Sequence, residues 1–109
     1  MRLEFKNKEY ERIDNFKGGE GHIMAKMFFD GKNRVLIAKV EPGSSIGVHI
    51  HEANAEMIFI EKGEPLFIID GREERLEAGN VHYCPKGSTH TMINDTDEVI
   101  EIKAVIFEQ

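Results

Sequence analysis

The chain has 109 residues, 40% hydrophobic and 31% charged, the balance of one ordinary globular domain spanning 1–109. Its net charge of −6 argues against nucleic acid as a main partner, because phosphate binding needs a basic patch and Lys6 and Lys8 are interrupted and flanked by glutamates. One cysteine, Cys84, rules out an internal disulfide framework, and no apolar run is long enough to span a bilayer.

The first segment, Met1–Phe16, is charged and lacks the apolar stretch of a secretory signal, so the expected setting is soluble and cytoplasmic. His22 follows "KGGEG" in a loop or first strand and reads as an ordinary position. Asp30–Gly31 lies between apolar runs and predicts a two-residue type I′ hairpin turn, which needs positive φ. "EPGS", Glu41–Ser44, marks the next break. After "GVHIHEANAE" comes a strand, "EMIFIE", Glu56–Glu61, in which Glu56, Ile58 and Ile60 share one face. Met57 and Phe59 take the opposite face. "KGEP" then leads to a strand at Pro65–Asp70, and Asp70–Gly71 predicts a second hairpin.

Breaks at "AGN" and "PKG" bracket "VHYCP", which alternates Val81 and Tyr83 against His82 and Cys84. His90 and Met92 share a face of the short strand that follows. In the last strand-like run, Val99–Phe107, Ile100, Ile102, Ala104 and Ile106 share a face, with Glu101, Lys103 and Val105 opposite. No stretch predicts an amphipathic helix. Many short strands and frequent turns predict an all-β sandwich or barrel.

His49 and His51 are two residues apart, so on a strand both imidazoles aim at one point. Glu56 points towards an apolar interior, where a lone carboxylate is strongly disfavoured. A divalent cation resolves that conflict, since it accepts imidazole nitrogen and carboxylate oxygen together. His90 is the best source of a fourth ligand.

Two motifs carry a family resemblance. Gly43, His49, His51, Glu56 and Gly63 match the first motif of the cupins, over 43–63. Gly79, Pro85, Gly87, His90 and Asn94 match the second, over 79–94. The sequence thus resembles the cupin family. That resemblance implies an antiparallel jelly-roll β-barrel with a metal inside, held by His49, His51, Glu56 and His90. Residues 1–42 would supply strands that complete the barrel or a dimer interface. The glycines suit turns with positive φ, and Asn94 suits a strand end held by side-chain bonding.

The expected cofactor is a divalent transition metal, one of Mn, Fe, Co, Ni, Cu or Zn, with no organic cofactor. A divalent ion with one glutamate is locally positive, so the expected partner is an anionic or carbonyl-containing small molecule. The leading expectation is a small metal-dependent enzyme of the isomerase, lyase or dioxygenase type; the alternative is a non-catalytic binding or sensing module. Tyr83 and His82 are weak candidates for catalysis, and His82 is assigned to the surface. Cys84 reads as a packed residue. The apolar outward residues Met57 and Phe59, with the habit of small cupins, predict a homodimer.

Overall fold

Period-two alternation of apolar residues writes most of this chain as strand, and the computed structural model, which describes all 109 residues, contains ten. In chain order these are β1 (Glu11–Asp14), β2 (His22–Phe29), β3 (Arg34–Val40), β4 (Ser45–Ile50) and β5 (Asn54–Lys62). They continue with β6 (Leu66–Ile69), β7 (Arg72–Arg75), β8 (Val81–Cys84), β9 (Thr89–Ile93) and β10 (Ile100–Glu108). A single 3-10 turn, Phe16–Gly18, is the one helical piece. No helix is long and apolar enough to cross a membrane.

The strands form two sheets, all pairs antiparallel. One has the order β1-β2-β3-β10-β5-β8 and the other β4-β9-β6-β7. Strands from the first 42 residues therefore extend the larger sheet. The core lies between the sheets. Leu36, Ile58 and Ile102 enter it from the larger sheet, and Ile46, Phe67 and Met92 from the smaller. On β10, Ile100, Ile102 and Ala104 are buried while Lys103 and Val105 are exposed, the alternation expected. On β5, Glu56, Ile58 and Ile60 face in, and Met57 and Phe59 face out.

Asp70 and Gly71 have φ of 47° and 80° and join β6 to β7 by the expected two-residue turn. Asp30–Gly31 does not. The β2–β3 connection is a four-residue loop, Asp30 to Asn33, because Asp30 Oδ1 accepts the backbone N–H groups of Lys32 (2.9 Å) and Asn33 (2.7 Å). Asn94, fully buried beyond β9, donates to the carbonyls of Val40 and Glu98 and accepts from Thr96, tying the strand end as expected.

Candidate metal centre

The site is assembled from both sheets. His49 lies near the end of β4, directly opposite His90 on β9, and His51 follows just past β4. Glu56 arrives on β5 from the other sheet. A bulge between Ile46 and His49 re-aims β4, so that Ile46 fills the core and His49 still points at the site. His51, Glu56 and His90 are almost fully buried, and His49 partly so.

One ligand atom from each of the four residues lies within 4.8 Å of the others. His51 Nε2 is 3.1 Å from Glu56 Oε1 and 3.0 Å from His90 Nε2. His90 Nε2 is 3.1 Å from His49 Nε2 and 3.0 Å from Glu56 Oε1. Donors about 2.1 Å from one ion and at right angles to it lie about 3.0 Å apart, so the spacing fits a shared cation.

The far sides of the rings fix the tautomers. His49 Nδ1 donates to the Gly47 carbonyl at 2.7 Å, and His51 Nδ1 to the Asn54 side-chain oxygen at 2.5 Å. His90 Nδ1 donates to His82 Nε2 at 2.9 Å, and His82 Nδ1 donates to Glu74 Oε1 at 2.6 Å. A carbonyl and a carboxylate can only accept, so the protons sit on Nδ1. Three bare Nε2 lone pairs and one carboxylate then face a common point. That arrangement repels itself unless a positive charge occupies the centre.

Without a metal the positive charge must come from protons. Burial alone would raise Glu56, but hydrogen bonds to His51 and His90 and their charge hold it down to about 2. His51 is raised, chiefly by its hydrogen bond to Glu56. His49 is lowered, chiefly by burial. Glu56 is therefore ionised, and its hydrogen bond to His51 favours the protonated imidazole, so a metal at this point would compete with that proton.

His82 departs from the surface assignment made above. It is 1% exposed, stacked on Phe67 with ring centroids 3.9 Å apart, and it contacts His90. The inward face of β8 tolerates this imidazole because both ring nitrogens find partners. Tyr83 is 45% exposed on the opposite face, beside Met57, and does not line the cavity over the metal site. Cys84 is buried, and that burial pushes its thiol up to about 12, so it packs rather than reacts. His22 opens β2, away from the site. What the sequence did not single out is a set of cations, Lys17, Lys32 and Arg34, which line the cavity with His49, His51, Glu56 and His90.

The family model for the cupin domain matches residues 36–107. The chain belongs to the cupin family. Among cupins it is 35% identical over 102 residues to an oxalate-binding protein of Thermotoga maritima, covering 88% of this chain and 84% of that one. Its fold superposes with a TM-score of 0.91 and 30% identity on the crystal structure of a Thermotoga maritima protein described as a predicted oxalate decarboxylase, with both chains covered completely. A cupin 2 conserved barrel protein from Salinispora arenicola gives a TM-score of 0.74 at 25% identity, over 99% of this chain and 87% of that one.

Proposed function

We propose that this cupin is a metal-dependent binder of a small chelating carboxylate. His49, His51, Glu56 and His90 hold a divalent transition metal, and the cavity above it takes the ligand. The observation that carries this reading is the convergence of three imidazole Nε2 atoms and the Glu56 carboxylate, about 3 Å from one another. When bound, the metal would supply a Lewis acid for the ligand's carboxylate oxygens. The protein supplies a cavity of about 250 Å³, half apolar in its lining, which suits a small molecule. The similarity to a protein named as oxalate-binding supports the same ligand chemistry.

Binding without turnover is favoured over the enzymatic reading by what the cavity lacks. Apart from the four ligands, its ionisable lining is Lys17, Lys32 and Arg34. These hold an anion. No carboxylate, imidazole or phenol is left over to serve as general acid or base, which leaves only the amines of Lys17 and Lys32 to move a proton. Calorimetric titration of the metal-loaded protein with oxalate should show saturable binding that disappears after chelation, with the oxalate recovered intact. Release of carbon dioxide or formate would replace this reading with a lyase or oxygenase. Identical titrations with and without metal would overturn the role of the site.

A homodimer is part of the same proposal. Met57, Phe59, Val81, Tyr83 and Val105 are all between 36% and 47% exposed on the outer face of the larger sheet. Met57 pairs with both Tyr83 and Val105, and Phe59 with Val81, so the five are contiguous. A second copy would cover them. Light scattering should give twice the 12.5 kDa chain mass, and Phe59→Glu should give the monomer.

A further inference from the structure

The cavity is larger than the smallest chelating dicarboxylate fills. About 250 Å³ accommodates roughly eight waters at about 30 Å³ each. Its charge is also lopsided. Lys17, Lys32 and Arg34 come from three separate elements, the 3-10 turn, the β2–β3 loop and the start of β3, and converge on one opening. None has a carboxylate within salt-bridge distance, so their charge is free to face the cavity. In a chain of net charge −6, a cavity lined by three cations and no carboxylate other than Glu56 is suited to an anion.

The strand register separates Arg34 from Glu56. Register pairs Phe29 with Arg34, Arg34 with Ile106, and Ile106 with Glu56. Directly paired residues share a face, and adjacent strands are about 4.8 Å apart, so Arg34 and Glu56 are roughly 10 Å apart at Cα, with Ile106 between them. The Arg34 guanidinium lies 4.7 Å over the Phe29 ring, and Nη1 contacts Met27 Sδ at 3.5 Å. A ring and a thioether hold the group in place while leaving most of its N–H donors for an anion.

Lys17 is held by different means. Its φ is 56° and that of Asn15 is 49°, left-handed values that non-glycine residues adopt at a cost of about 1 kcal/mol or more each. The turn that carries it is pressed against β4. A Cβ on Gly47 would lie 2.1 Å from the Lys17 carbonyl oxygen, and one on Gly19 would lie 2.2 Å from the Ser45 carbonyl oxygen. The fold thus maintains a strained turn whose lysine reaches the metal cavity.

Resting on the metal-chelate reading, we infer that the ligand is longer than oxalate and bifunctional: a chelating carboxylate head at the metal and a second anionic group at the far end. The short aliphatic spacer between them lies along Ile106. Arg34 and Lys32 receive the distal anion, and Lys17 covers the head near His51.

Pyruvate and 2-oxoglutarate make a suitable pair of probes, because they present the same 2-oxo acid head and only the second carries a distal carboxylate. Titrated into the metal-loaded protein, 2-oxoglutarate should bind about tenfold more tightly than pyruvate. Arg34→Gln should remove most of that advantage and leave pyruvate within about twofold. Lys32→Gln, on an exposed loop where folding is not at risk, should weaken 2-oxoglutarate alone by about two- to fivefold. Equal affinities in the wild type, or losses by both probes alike in Lys32→Gln, would overturn the bifunctional ligand while leaving the chelate site standing. If oxalate binds and neither probe does, the bifunctional ligand is overturned and the chelate site stands; if oxalate too fails to bind, or if binding ignores the metal, the chelate reading fails and this inference with it.

Discussion

Replacing His82 with phenylalanine should weaken metal binding without touching a ligand. The slot is flat, since His82 stacks on Phe67 at an interplanar angle of 13° and on His90 at 10°. A phenyl ring fits it. What is lost is the acceptor for His90 Nδ1–H, now 2.9 Å away. In the metal-free protein His90 can respond by moving its proton to Nε2, where Glu56 accepts it at 3.0 Å. The metal forbids that escape, because it requires Nε2 bare. An unpaired Nδ1–H is then buried only in the metal-bound state. Losing such an outer partner typically lowers metal affinity about 10- to 100-fold, or about 1.4 to 2.7 kcal/mol. With metal in excess, the metal-dependent part of stability falls by the same amount, which shrinks the metal-induced rise in Tm by roughly 6 to 20 °C. Competition against a chromophoric chelator measures the affinity, and thermal unfolding with and without metal measures the coupling. Glu74→Gln should give a smaller loss, because its amide oxygen can still accept from His82. Metal affinity of His82→Phe within twofold of wild type, or an equal loss of Tm with and without metal, would refute the positioning role.

His51→Ala should abolish most bound metal, read by elemental analysis of protein purified without added metal; wild-type content would disprove the ligand assignment. Metal affinity should fall with decreasing pH, since only a neutral imidazole ligates. The free-histidine value alone puts the onset near pH 6, but His51 is raised by its hydrogen bond to Glu56, so the fall begins above about 6.5. Below that point it should approach about tenfold per pH unit for each proton displaced. His49, lowered chiefly by burial, joins only at lower pH, and Glu56 stays ionised down to about 2. A pH-independent affinity between 5 and 8 would contradict the proton-for-metal exchange. Gly47→Ala should cost about 1 to 3 kcal/mol because its Cβ meets backbone atoms of the 3-10 turn, and an unchanged Tm would show that the turn is free to move.

The clustering of His49, His51, Glu56 and His90 was legible in the sequence for a local reason, and the rest of the site was not for a longer-range one. His49 and His51 are i and i+2, and Glu56 shares parity with Ile58 and Ile60, so strand geometry alone aims them inward. The same reasoning stalls at β8. Parity divides Val81 and Tyr83 from His82 and Cys84, but the outer face of this sheet is itself apolar, so hydrophobicity does not say which pair is inside. Burial of His82 depends on Glu74, from the smaller sheet, and on His90, neither of which lies beside it on its own strand. The cationic lining is harder still to foresee. Arg34 reaches the row of Glu56 only because β10 lies between β3 and β5, a strand order that no local pattern encodes. Lys17 reaches the cavity only because Gly19 and Gly47 let two backbones nearly touch. The convergence of the four side chains was thus set by spacing within short segments, while the cationic lining above them was set by topology. This is why the two motifs could mark the four clustered residues and say nothing of Lys17, Lys32 and Arg34 around them.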